Sequence, residues 1–361
     1  MDLRLRVATG VAVAAVGTLF ALPAPPPLTP PAASAPQTTG PPVPLETAWP
    51  AAVPGTIPGA QPDGSTFLPL LVLGPDLSTG MSSGAGRAPA YVLRSPAGIR
   101  ELSPNVTGMA RSLDAYTSGG GQLFWFLNVK DISGGAHQTL WTADVAGGES
   151  RVLAADTGTP RLRGGSLDLQ VVDGVVRWVA EGPGGDTEVR SVPVTGGAVA
   201  VARYPGKFVL SQWPWGSPAV STSGSSVELL NFETRAKLKV PAAKGRNVNC
   251  GPVWCRSTDD ATLELRRVDG TDVRPIGGRE VGLIGYPIGR VRDLDIFTGA
   301  ISNTMAGPVR PLIVYDIAGH RSVLVSAVAG AVGARGDFLL WSTGDNEGMV
   351  WHFLDLRTLR S

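Results

Sequence analysis

A repeat constrains this chain more than any other feature. Seven strand-like segments recur: Ala90 to Arg94, Thr139 to Val145, Glu188 to Val194, Val227 to Phe232, Leu263 to Val268, Leu312 to Ile317 and Val350 to Leu356. Each of the first six runs through a turn into a second strand, as in Arg151-Val152-Leu153 and Arg321 to Val325. Taking Val92, Trp141, Arg190, Leu229, Leu265, Val314 and His352 as equivalent, the spacings are 49, 49, 39, 36, 49 and 38 residues, about 43 on average. A period of this size with several short strands per unit is the signature of a β-propeller blade, which cannot bury its faces alone and must stack on neighbours. The expected fold is all-β: a propeller of four-stranded blades, seven in number, with six or eight left open by the irregular stretch from Phe208 to Val240.

Further strands precede the marker where the pattern is clearest, as at Gln122 to Val129, Val175 to Ala180 and Phe338 to Ser342. The first copy, from Phe67 to Val72, reads as lacking an inner strand, and the last, ending at Ser361, as having at most a rudimentary outer one. A blade assembled from both ends of the domain would leave no sheet edge unpaired. Composition agrees, since 47 glycines and 31 prolines punctuate short alternating runs and no convincing amphipathic helix stands between them.

Tryptophan is frequent in the repeats. Trp125, Trp178, Trp254 and Trp341 fall in second strands, where a large flat ring fills the wedge between twisted sheets. Trp213-Pro214-Trp215 lies in a loop at a propeller face. Packing is its default role, and a carbohydrate or peptide platform formed by Trp213 and Trp215 is the candidate ligand site. Cys250 and Cys255 bracket Gly251-Pro252-Val253-Trp254 across a hairpin turn, which in an exported chain predicts a short structural disulfide.

No catalytic set stands out. Asp76, Asp114, Asp259, Asp260, Asp293, Asp295 and Asp345 lie near turns or first strands, as capping carboxylates do. A calcium site at the channel lacks any supporting motif, and no GxSxG nucleophile turn is present. His137, His320 and His352 are scattered, and with two cysteines they give no His/Cys metal set; no metal or cofactor is expected. Basic and acidic residues nearly cancel, 31 against 30, so no nucleic-acid face is indicated.

The N-terminus reads as an export signal. Arg4 and Arg6 precede the apolar run Val7 to Leu22, and Ala33-Ser34-Ala35 resembles a cleavage site, so residues 1–35 are expected to be a signal peptide or an uncleaved signal anchor. Residues 36–63 read as a Pro/Ala-rich disordered linker with polyproline II character, Glu46 its only charge up to Pro62. Trp49 in it has no defined role by default, the alternatives being docking on the domain or contact with wall polymer. The propeller is then expected over 64–361.

The unit Leu140-Trp141-Thr142-Ala143-Asp144-Val145-Ala146-Gly147-Gly148 followed by Arg151-Val152-Leu153 resembles the repeats of TolB-like translocation proteins. So does Leu263 to Gly270 followed by Val273-Arg274-Pro275-Ile276. The resemblance covers about residues 64 to 361, with degenerate motifs; the helical N-terminal domain of that family is replaced by the Pro-rich segment, and a regular SPDG-like turn is lacking. It implies a non-enzymatic envelope propeller. The Arg-rich, Lys-poor composition suits a secreted protein of a high-GC actinobacterium. The expected function is thus an exported protein- or glycan-binding scaffold, monomeric, with an envelope protein or cell-wall glycan as partner and membrane contact only through an uncleaved N-terminal segment. The alternative is a propeller glycoside hydrolase or lyase with acids around the channel.

Overall fold

The computed structural model describes residues 40–61, 63–84, 86, 88–103, 110–130, 136–219, 226–241, 246–258, 262–278, 282–283, 294–299, 302–304, 307–345 and 348–359, all within the compact unit Thr38–Ser361. The expected signal segment 1–35 and Asp259, Asp260 and Asp293 lie outside them. No helix among these residues is long and apolar enough to cross a membrane.

The protein is a seven-bladed β-propeller of antiparallel sheets, each with a core of four strands. Blade 1 has the strands Thr66–Gly74, Leu77–Ser83, Ala90–Ser95 and Gly98–Glu101, from inner to outer. Blade 2 has Ala110–Gly119, Gln122–Lys130, Ala136–Asp144 and Arg151–Ala154. Blade 3 has Leu169–Val172, Val175–Glu181, Thr187–Pro193 and Ala200–Tyr204, with Thr159–Pro160 also paired to its second strand. Blade 4 has Phe208–Leu210, Trp215–Pro218, Ser226–Asn231 and Lys237–Pro241, and blade 5 has Asn247–Cys250, Trp254–Thr258, Thr262–Arg267 and Arg274–Gly278. Blade 6 has Gly282–Leu283, Leu294–Thr298, Gly307–Asp316 and Arg321–Ala329. Blade 7 has Val332–Arg335, Phe338–Thr343 and Val350–Asp355, and its outer strand is Gly55–Pro58. All seven sequence markers fall in third strands.

Closure by both chain ends is therefore observed, and two sequence expectations are corrected. Phe67 to Val72 belongs to the inner strand of blade 1, which is complete. Its second strand carries no clear sequence signal because Gly80 interrupts the apolar pattern; a Cβ there would lie 2.2 Å from the Leu68 carbonyl oxygen and 2.8 Å from the Phe67 ring. The supposed linker 36–63 is largely built into the propeller. Val43–Pro44 pairs in parallel with the outer strand of blade 6, Leu45–Ala48 forms one helical turn, and Gly55–Pro58 closes blade 7. This segment has no periodic stripe of its own; it is ordered by single anchors, Leu45, Ala48, Trp49 and Ile57, that the propeller buries. Trp49, only 2% exposed, packs between blades 6 and 7.

Seven apolar clusters hold the ring, one in each wedge between neighbouring blades. Four second-strand tryptophans fill four of these wedges as expected: Trp125 between blades 1 and 2, Trp178 between 2 and 3, Trp254 between 5 and 6, and Trp341 between 6 and 7. All are buried, and truncating such a ring to alanine typically costs about 3 to 5 kcal/mol. The seventh wedge, between blades 7 and 1, contains Ile57 of the closing strand against Phe67, Trp351 and their neighbours.

The repeated turns have a common cause. An Asp or Asn at or just past the end of the third strand accepts a backbone amide two or three residues on: Asp144 from Ala146 at 2.8 Å, Asn231 from Glu233 at 3.0 Å, Asp269 from Thr271 at 2.9 Å and Asp316 from Gly319 at 2.9 Å. Such a side chain substitutes for a backbone turn bond and fixes the hairpin. Cys250 and Cys255 face each other across the first hairpin of blade 5 and are joined as a disulfide, both sulfur-bearing residues buried.

Candidate functional site

Inner strands converge on the propeller axis, so their side chains compete for little space and tend to be small. In blade 7 this gives the run Ala331-Val332-Gly333-Ala334-Arg335. It forms one wall of a central cavity of about 330 Å³. The other walls are Pro69 and Leu70 from the inner strand of blade 1, Tyr116 from that of blade 2, and Gly164 and Ser166 from the segment entering blade 3. Leu340 and Trp351 of blade 7 back it.

Arg335 is the charged member of this lining. Its guanidinium crosses from blade 7 to the opposite wall, where Nη1 donates to the Gly165 carbonyl and Nη2 to the Gly164 carbonyl, both at 3.0 Å. The guanidinium carbon sits 4.1 Å from the centre of the Tyr116 ring, a cation–π contact. Burial pushes the Tyr116 phenol above its ordinary pKa, and the Arg335 charge partly offsets this. Behind the wall, the buried Asp168 carboxylate accepts the backbone amides of Arg163 at 2.9 Å and Gly165 at 3.0 Å. Burial raises its pKa, while those amides and Arg335 pull the other way. Asp168 thus shapes the loop that presents the two carbonyls to Arg335.

Trp213 and Trp215 do not form one platform. The Trp213 ring stacks on Phe232 at 6.2 Å, receives the Arg177 guanidinium at 4.5 Å, and its Nε1 donates to Glu233 at 3.1 Å. It packs in the wedge between blades 3 and 4. Trp215, in the second strand of blade 4, packs toward Cys250 and Cys255 of blade 5. Both are half-buried. Among the acids, Asp295 is fully buried and ion-paired to Arg256 across blades 5 and 6. Asp114 accepts Gln138 at 2.8 Å and Ser112 at 2.9 Å, and Asp345 accepts the Gly348 amide at 3.1 Å. His352 stacks on Trp341 at 5.3 Å and shares a hydrogen bond with Thr343 at 2.7 Å. No group of three or more His, Cys, Asp or Glu among the described residues is placed to hold a metal.

Arg335 and Tyr116 had no signal in the sequence beyond an arginine following a run of small residues. Their meeting depends on ring closure, which brings blade 7 across from blades 2 and 3.

No protein-family profile matches the sequence. No curated protein matches it. Among solved structures, the chain is similar to the β-propeller domain of the Trilobed protease from Pyrococcus furiosus, at 10% identity and TM-score 0.50, covering 80% of this chain and 95% of that one. That domain has an open velcro topology, whereas here a strand from before blade 1 pairs into blade 7. The TolB protein of Agrobacterium tumefaciens matches at 13% identity and TM-score 0.41, over 71% of this chain and 93% of that one. A prolyl endopeptidase matches at 11% identity and TM-score 0.46 over 74% of this chain, which spans only 44% of that protein's length. At these identities the likeness shows the propeller fold alone.

Proposed function

We propose that this propeller is an exported, non-enzymatic binding module of the cell envelope, engaging a protein or glycan through the mouth of its central channel. The observation that carries the reading is the make-up of the cavity. Small and apolar walls surround one guanidinium held in place by two carbonyls and a phenol ring, which is the build of a preformed recognition pocket. The disulfide supports an oxidising compartment, as does the signal-like N-terminus.

The test is association of the purified chain with isolated envelopes alongside a turnover screen on polysaccharide and peptide substrates. Saturable association, competed by excess unlabelled chain and weakened by Gly333→Leu, is the expected result. Turnover proportional to protein concentration and lost in Arg335→Gln would overturn the non-enzymatic reading.

A further inference from the structure

We infer that the central cavity receives the C-terminal carboxylate of a peptide ending in an apolar residue, an inference that rests on the channel being the propeller's binding face. Charge is the first argument. Arg335 is the one charged residue among the described lining residues. Two of its five N–H donors go to the Gly164 and Gly165 carbonyls and its face rests on the Tyr116 ring, which leaves further donors for a ligand. A guanidinium with its plane fixed by a ring and two carbonyls is suited to a carboxylate, because little side-chain freedom is lost when the ligand arrives. The neighbouring carboxylate, Asp168, is turned to the backbone amides of its own loop.

Size and wall chemistry narrow the occupant. A volume of about 330 Å³ is at the small end for ligand pockets and admits the last one or two residues of a chain. Leu70, Val332, Leu340 and Trp351 offer apolar surface, and the described lining carries no side-chain amide or carboxylate to read sugar hydroxyls. An apolar terminal side chain fits such walls better than a sugar ring. Capture of a chain terminus by fixed donors is a recurring mode of peptide recognition.

Gly333 makes the inference testable without disturbing the fold. A Cβ added there would meet nothing within 4 Å, so a side chain at 333 would occupy the cavity rather than strain the strand. The experiment is calorimetric titration of the purified chain with N-acetyl-Ala-Leu as the free acid and as its carboxamide. The acid is expected to bind at least about ten-fold more tightly than the amide. Gly333→Leu should abolish binding at an unchanged melting temperature, and Arg335→Gln should remove the preference for the acid. Equal affinity for acid and amide, undiminished binding by Gly333→Leu, or no binding of either peptide by the folded chain would each overturn the carboxylate assignment. Envelope association measured on the same protein then separates that outcome from failure of the channel reading itself.

Discussion

At the scale of single residues, the wedge tryptophans differ in one respect that stability measurements will resolve. Trp178 donates its Nε1–H to the Thr157 carbonyl at 2.9 Å, whereas the buried Trp125 Nε1–H has no partner among the described residues. Trp178→Phe loses that hydrogen bond, and Trp125→Phe loses only ring volume. Chemical denaturation should show Trp178→Phe the more damaging by about 1 to 2 kcal/mol. His352 carries a pH signature. Burial holds its pKa below the ordinary imidazole value of about 6.5, so the unfolded chain takes up a proton before the folded one does. Its contribution to stability is full above pH of about 6.5 and is lost as pH falls through the folded-state pKa. Melting curves from pH 7 to 5 should fall less steeply for His352→Phe than for the natural chain; identical slopes would contradict this. The tryptophans were legible in sequence because their role follows from residue type and strand position. Arg335 was not, because its partners lie some 170 residues away.

At the scale of elements, arginines in several outer strands tie one blade to the next. Arg100 donates to the carbonyls of Gly148 and Asp144 in the following blade's turn, Arg151 to Thr195, and Arg274 to Ile317. Arg321 donates to Ala48 at 3.2 Å, in the segment just before the closing strand. This use explains part of the preference for arginine over lysine, since a planar fork reaches a carbonyl and a carboxylate at once while an ammonium does not. Arg274 does both, pairing also with Asp272 at 2.7 and 2.6 Å. Arg274→Lys is therefore expected to cost about 1 to 2 kcal/mol in thermal unfolding despite the retained charge. The hairpins themselves were legible, because an Asp or Asn before a glycine-containing turn is a local signal. The inter-blade ties were not, because each links one unit to the next and appears in neither alone. The same holds for 43–58, whose order comes entirely from the surfaces that receive it.

At the scale of the whole molecule, the ring depends on four residues, Gly55–Pro58, lying along Val350–Asp355. The fit is close at Gly55, where a Cβ would come within 2.1 Å of the Phe353 ring. Gly55→Val should destabilise the protein by about 1 to 3 kcal/mol, while Gly40→Val, with nothing within 4 Å, should leave the melting temperature unchanged. Equal melting temperatures for both variants would show that closure contributes little. The seven blades could be counted from the sequence because each repeats the same local grammar, but the identity of the closing strand could not, because it resembles no blade. That arrangement also imposes an order of events on biogenesis. The strand that seals the ring leaves the ribosome among the first residues of the domain and its partner among the last, so a growing chain holds an unfinished cylinder with open sheet edges throughout. Commitment to the native state is thereby deferred until the third strand of blade 7 has been made, and a chain interrupted before residue 350 would be delivered without its lock.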